Sequence, residues 1–381
     1  MPEQHAILSP SGANRWLSCP GSIQACKGIP DVASPYAMEG TIAHALAEVR
    51  LKLTYTADEE EKKQLTEELE GLKKNEFYTK EMEEAVLEYV AFVMKSFQEA
   101  GENAQIEIEQ RLDISHIAPD CFGTGDCVIV SPKAIHIIDL KFGKGVRVNA
   151  KENPQLKLYA LGAIHYWGFL YEEIQTIQVS IAQVRLDHFD SWTISRDELE
   201  AWGKAIKPIA EKAYQGTEER HAGEHCRFCK VKMICRERAT AILEGLPPLS
   251  ENMNDSEIAA LLTRAKEVKK WAEELEEYAQ EQALKGVLYP GFKLVEGRSQ
   301  RKYTNQKGLI DYLYKNGYRK KDITRSDELI TIGKLEKLLG KQFEELTKDY
   351  IDKPMGKPTL VPQADPRKEL AHAEQEFNYQ N

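Results

Sequence analysis

The feature that most constrains this chain is a change of hydrophobic period just past residue 100. Over residues 79–100, Met82, Val86, Tyr89, Val90, Val93 and Phe97 recur at helical spacing. From Gln105 to Asp113 the run QIEIEQRLD alternates instead, the pattern of a half-buried strand. Gly125–Val130 and Ala134–Leu140 read as two more strands, parted by the turn signal Ser131-Pro132-Lys133. Residues 151–167 return to helical spacing, with Pro154 in the first turn. Strands resume at Ile174–Val184 and Ser191–Ile194, and Ser195-Arg196-Asp197-Glu198 is a capping box opening a helix over 196–214. A chain that alternates in this way is expected to be an α/β fold.

The flanks are more helical. Residues 11–26 predict a short helix with a turn at Cys19-Pro20-Gly21, and residues 38–53 an amphipathic helix. The Glu- and Lys-rich residues 57–76 are expected to be a solvated helix or loop. Gly245–Asn254, with two adjacent prolines, reads as a linker. Residues 255–285 carry an apolar stripe at helical period, closed by Gly286, and predict a long helix that packs on the core or pairs with a partner helix. A hairpin is expected over 292–303 and short helices over 305–316 and 333–340. Residues 353–381, with prolines at four-residue spacing, are expected to be an extended tail. The expected division is therefore a domain over 1–242, a mostly helical region over 255–352 and the tail.

Four separated pieces can form one chemical site. They are Gly40-Thr41-Ile42-Ala43-His44 on a helix, Gly125-Asp126 entering a strand, Asp139-Leu140-Lys141 ending the next strand, and Gln155 with Tyr159 one helical turn apart. Hydrolysis of a phosphodiester must stabilise charge on phosphorus and make a nucleophile at neutral pH, and a divalent metal does both. Magnesium and manganese favour carboxylate, carbonyl and water ligands. Asp126 and Asp139 would converge on such an ion from adjacent strands, with the Leu140 carbonyl and His44 as further ligands. Asp139 and Lys141 are two apart on a strand and share a face, so Lys141 can orient or deprotonate the attacking water. Gln155 and Tyr159 would bind the phosphate or buttress Lys141. Each piece alone is common; their order is informative.

That order resembles the RecB-like branch of the PD-(D/E)XK nucleases, which includes the RecB and AddB nuclease domains and the nuclease of CRISPR adaptation. The resemblance spans roughly residues 9–240 and implies a mixed sheet flanked by helices. It also implies a magnesium or manganese site at His44, Asp126 and Asp139, with Lys141 beside it. Gly125 replaces the proline that gives the motif its name, and Asp139 stands where Glu is frequent.

Seven cysteines are present, and three of them form Cys226-x2-Cys229-x5-Cys235. With Cys19 far upstream, four thiolates could hold either a 4Fe–4S cluster or a tetrahedral zinc. Cys26 competes with Cys19, and His221 or His225 could join a zinc site. The Cys19-Pro20 pair and the distal triplet are similar to the iron–sulfur staple of AddB-type nucleases, which implies a structural cluster tying the ends of the domain together. Cys121 and Cys127 are expected to be structural.

The net charge of −10 gives no global attraction to nucleic acid, so DNA binding needs a local basic surface. Lys133, Lys144, Arg147, Lys151 and Lys157 cluster around the site in sequence, and Tyr159, Tyr166, Trp167 and Tyr303 are candidate stacking partners. No apolar run approaches membrane-spanning length, no secretory signal is legible, and a cytoplasmic location is expected. The C-terminal third, through Gly291–Ser299 and Lys353–Pro362, resembles an uncharacterised family of phage and prophage proteins. The expectation is an exonuclease acting on DNA ends in phage recombination or replication, with an annealing protein or helicase as a possible partner. The alternatives are a structure-specific endonuclease and a non-catalytic DNA-binding scaffold.

Overall fold

Capping residues mark where the helices of the first unit begin. The structure, a computed structural model, describes residues 6–30, 35–244, 255–297, 301–325, 328–354 and 356–370. The chain divides into two units, Met1–Gly245 and Leu246–Asn381. The first opens with α1 (Ala13–Ser18), α2 (Gly21–Cys26), α3 (Pro35–Tyr55), α4 (Glu59–Leu72) and α5 (Lys80–Glu99). Asp58 caps α4 and Thr79 caps α5, each accepting free N–H groups of the first turn.

A five-stranded sheet follows, in spatial order β1-β2-β3-β4-β5. Its strands are β1 (Gln105–Asp113), β2 (Phe122–Val130), β3 (Ala134–Leu140), β4 (Thr176–Gln183) and β5 (His188–Ser195). β3 and β4 pair in parallel and the other neighbours antiparallel, so the sheet is mixed. A parallel pair needs a crossover, supplied by α6 (Pro154–Trp167), which Asn153 caps and Pro154 starts. The capping box at Ser195 and Glu198 opens α7 (Arg196–Gln215), and α8 (Arg236–Glu244) ends the described part of the unit.

Alternation along the strands feeds two cores. Val128, Val130, Ile135, Ile137, Ile177 and Val179 pack with α1, α6 and α7 on one face. Cys127, Ile129, Ile138 and Leu140 pack with α3, α4 and α5 on the other. β1 breaks this rule. Ile106 belongs to the second core and Leu112 to the first, although both are even-numbered and a regular strand would put them on one face. Between them Glu109 has φ of +53°, and this left-handed residue turns the strand over.

The second unit holds α9 (Asp255–Leu284), β6 (Phe292–Gly297), β7 (Lys302–Tyr303), α10 (Gln306–Lys315), α11 (Lys320–Ile323), β8 (Thr324–Arg325), β9 (Glu328–Leu329), α12 (Ile332–Leu339), α13 (Phe343–Thr347), β10 (Ile351–Asp352) and β11 (Gly356–Pro362). The hairpin expected over 292–303 is not formed by β6 and β7: β6 pairs with β11 and β7 with β10. Part of the expected tail is thus a strand. Its prolines are tolerated because Pro358 sits at a register irregularity and Pro362 at the strand's end. α9 packs against β6 and β11, with Ala283 buried and Ile258 and Leu262 exposed. A small core of Leu309, Leu313, Ile323, Leu335, Leu339 and Phe343 joins α10 to α13. The expected linker 245–254 and the end of the tail, 371–381, lie outside the described residues. No helix among the described residues is long and apolar enough to cross a membrane.

Candidate active site

β2 and β3 pair only from Val130 opposite Ile135 to Cys127 opposite Ile138, and then part. The residues just beyond the split are Asp126 and Asp139. Asp126 fills the gap: its Oδ2 accepts the Leu140 N–H at 2.6 Å, replacing the backbone acceptor that a continued ladder would have offered. Leu140, expected to offer its carbonyl, is thus held here through its N–H. The other oxygen, Oδ1, lies 3.3 Å from Nδ1 of His44, which α3 brings across the sheet.

On the α6 side, Asp139 and Lys141 share a face. Asp139 is 2% exposed, and its Oδ2 lies 2.9 Å from the Lys141 ammonium. Gln155 on α6 joins them. Its Nε2 donates to Asp139 Oδ1 at 3.0 Å and its Oε1 accepts from Lys141 Nζ at 3.1 Å. Tyr159, one turn further on, is buried against the backbone of β2: a Cβ on Gly123 would lie 3.1 Å from its ring, a tight contact that glycine relieves.

The structure adds a residue the sequence did not single out. Ligand atoms of His44, Glu109 and Asp126 all lie within 4.8 Å of one another. Glu109 is the left-handed residue of β1, and this turn is what brings its carboxylate to Asp126. In the sequence it looked like one of several acidic residues on a solvated strand face. Asp139 lies outside this tight trio, near enough to act on it electrostatically.

The charges are strongly coupled. Burial lifts Glu109 above the usual carboxylate range, and the neighbouring Asp126 charge adds to this, to about 7. Burial pulls His44 down, but the charge and hydrogen bond of Asp126 outweigh it and hold its pKa at about 9. Burial raises Asp139, against the pull of Lys141. Burial lowers Lys141, but Asp139 more than compensates, and the ammonium keeps its proton above the ordinary range. Tyr159 is raised chiefly by burial.

Such a group fits a divalent cation. Oxygen and nitrogen ligands sit about 2.0–2.6 Å from such an ion, so atoms within 4.8 Å of one another can share one. At the site two buried oxygens have acceptor capacity to spare: the Tyr89 hydroxyl, and Asp139 Oδ2 beyond its ion pair with Lys141. Tyr89 is fully buried within electrostatic reach of Asp126, Asp139 and Glu109. A hydrated ion would give both atoms partners.

The cysteines gather at the other end of the unit. Cys19, Cys226, Cys229 and Cys235 line one small cavity. The N-terminal helices are tied to this segment directly: Gly21 N–H donates to Glu219 O at 2.8 Å, and His221 N–H to Cys19 Sγ at 3.4 Å. Gly21 has no room for a Cβ, which would sit 2.6 Å from that carbonyl. Cys26 is also close, its Sγ 3.9 Å from Cys229 Sγ. The Cys229 thiol and, more weakly, the Arg15 guanidinium lower Cys26 to about 6 against the effect of burial, while Cys229 is raised. Among the described residues no three of these sulfurs lie within 4.8 Å of one another, the separation met by the His44 trio. Cys121 and Cys127 are buried in the two cores, and burial raises both thiols.

The expected basic surface is only partly available. Lys157 is buried, paired with Glu152 at 2.5 Å and placed 4.2 Å from the Trp202 ring centre. Lys144 pairs with Glu81, and Arg147 donates to His188. Of the expected stacking residues in this unit, Tyr159 and Trp167 are core, and Tyr166 is exposed.

Fold and site together define a mixed α/β domain whose sheet splits around a buried carboxylate, lysine and amide centre. The chain belongs to the family described as "Protein of unknown function (DUF2800)", whose model matches residues 5–368. It is also similar to the solved structure of SSO0001, at 15% identity over 59% of this chain and 96% of that one. The TM-score is 0.24, a likeness too loose to define a fold.

Proposed function

We propose that this protein is a metal-dependent deoxyribonuclease, built on a PD-(D/E)XK core, that hydrolyses phosphodiester bonds at Asp126, Asp139 and Lys141. The observation that carries this reading is Gln155, whose one amide holds both Asp139 and Lys141 beside the trio of His44, Glu109 and Asp126. A buried ion pair kept only for stability would not need an open imidazole–carboxylate group next to it.

A magnesium or manganese ion held by His44, Glu109 and Asp126, with Asp139 beside them, would polarise the phosphoryl oxygen and lower the pKa of water. Lys141 keeps its proton in the metal-free protein, and as an ammonium it can orient water and offset charge on the phosphate. Gln155 fixes the rotamers of both neighbours, and Tyr159 closes the site against β2. Imidazole among the ligands favours manganese over magnesium.

The same reading assigns Cys19, Cys226, Cys229 and Cys235 to a 4Fe–4S cluster that ties the ends of the unit together. Four sulfurs around one zinc would lie about 3.8 Å apart, given a bond of about 2.3 Å. Four cysteines lining one small cavity could hold either group, and it is the resemblance to AddB-type nucleases that favours the cluster. The substrate is a DNA end, in recombination or replication of a phage or prophage, with an annealing protein or helicase as partner.

The test is degradation of end-labelled linear single- and double-stranded DNA, and of closed circles, with manganese or magnesium. Metal-dependent loss of linear DNA, sparing circles and absent in Asp139→Ala, is expected. No cleavage by folded, cluster-loaded wild type would overturn the reading.

A further inference from the structure

Beside the candidate active site lies a cleft of about 870 Å³ between the N-terminal helices, the start of β2 and the cysteine loop. Gly123, Thr124 and Tyr159 line it, Thr124 two residues before Asp126 on β2 and Tyr159 one helical turn after Gln155 on α6. Lys230 and Phe228 also line it, the latter standing between Cys226 and Cys229 in the sequence.

The lining is unusual for this chain. Acidic residues outnumber basic ones, 61 to 51, yet among the described residues no carboxylate lines the cleft, and Arg15, Lys27, Arg111 and Lys230 do. Four aromatic rings are interleaved with them: Phe122, Tyr159, Tyr214 and Phe228. Phe122 already carries the Arg111 guanidinium 4.3 Å from its ring centre. Phe228 is 76% exposed and Tyr214 44%, a cost in water that a core role cannot explain.

Four cations and two exposed rings lining one cleft fit one ligand chemistry. Phosphates pair with the cations, and unstacked bases lie on the rings. A duplex does not fit, because its bases are already stacked and present only edges. The volume, at the upper end of small-ligand pockets, admits a few nucleotides and not a duplex turn. We infer that this cleft is the entry path for a single-stranded DNA end, with Phe228 and Tyr214 stacking bases and Arg15, Lys27, Arg111 and Lys230 tracking the backbone toward Thr124. The assignment of the strand's destination rests on the nuclease reading above; the binding itself does not.

The test uses the full, cluster-loaded chain and a fluorescent oligo-dT, with EDTA present so that nothing is cut. Anisotropy is expected to show tighter binding of oligo-dT than of a duplex of equal length. Phe228→Ala should weaken it roughly 5- to 150-fold, the range for one lost base stack. Lys27→Ala should lower the slope of log affinity against log salt by about 0.7, one phosphate contact on a single strand. Both side chains are exposed, so their loss leaves the core intact, which circular dichroism checks. Oligo-dT binding without any cleavage in manganese would sink the nuclease reading and leave the cleft assignment standing. Equal or better duplex binding, tighter binding of oligo-U, or unchanged affinity in both variants would overturn the cleft assignment, whether or not the protein cuts DNA.

Discussion

Asp126 and Leu140 meet where two strands stop pairing: the carboxylate accepts the buried N–H at 2.6 Å and so replaces a missing ladder bond. Asp126 therefore has a structural task as well as a chemical one. In Asp126→Ala the N–H of a fully buried residue loses its acceptor, which costs about 1–3 kcal/mol. Asp126→Asn keeps one carbonyl oxygen for that bond and should lose less. Both should lose DNA cleavage. Urea unfolding that ranks the asparagine variant no more stable than the alanine one would contradict this division of roles.

Gln155 touches no reacting atom in this reading and acts by positioning Asp139 and Lys141. Removing a support of this kind typically costs about 10- to 100-fold. Gln155→Ala should therefore lower kcat by that order with KM little changed. Gln155→Glu places a carboxylate against Asp139 and should do worse. A change confined to KM would show that Gln155 binds substrate instead.

Proton linkage gives a third outcome. In the metal-free protein Glu109 titrates at about 7 against an ordinary 4.5, and His44 at about 9 against 6.5. Both are raised, so each contributes stability that is full below its ordinary value and is lost as pH rises: Glu109 from 4.5 to 7, His44 from 6.5 to 9. An ion needs both groups free of protons. Manganese affinity should thus increase up to about tenfold per pH unit between 7 and 9, as one proton leaves His44 for each ion bound. Calorimetry in buffers of different ionisation heat measures that proton, and His44→Ala should abolish it. A pH-independent affinity would remove His44 from the ligand set.

The order of elements was legible because periodicity and caps are local: the Ser195–Glu198 box and Pro154 stand where the sequence placed them. The pairing of Asp139, Lys141 and Gln155 was legible for the same reason, since strand and helix spacing put them on facing surfaces. Glu109 was not. A regular alternation such as QIEIEQRLD gives no sign of one left-handed residue, and that residue decides which carboxylates meet. The burial of Lys157 was equally hidden, because a lysine between two tryptophans distant in sequence looks like any exposed cation. Pairing of β6 with β11 across more than fifty residues is tertiary and has no short-range signature.

The cysteines separate by role. Cys229→Ser should yield colourless, poorly soluble protein, because a ligand is lost from the group that ties residues 19–21 to 219–235. Cys26→Ser should stay brown and soluble, as Cys26 accepts from Arg15, meets the Cys229 thiol and does not line the four-cysteine cavity. Visible absorption and iron content of anaerobically purified protein read both. A colourless Cys26→Ser variant would place Cys26, in exchange for Cys19, among the ligands.

Glu109 sets stability against chemistry. A non-glycine residue at φ of +53° costs about 1–2 kcal/mol, strain that persists where function requires it. Its carboxylate adds repulsion from Asp126 when no ion is bound. Glu109→Gly removes the strain and the charge, offset by about 0.5–1 kcal/mol of backbone entropy. The metal-free variant should then be as stable as wild type or more so, by up to about 1.5 kcal/mol, and bind manganese more weakly. Glu109→Gln keeps the strain and removes only the charge. It should bind manganese as weakly as the glycine variant while falling below it in stability without metal. Thermal unfolding with and without manganese distinguishes the two contributions. If Glu109→Gly is destabilised and yet binds the ion normally, the left-handed turn serves β1 alone and Glu109 is no ligand.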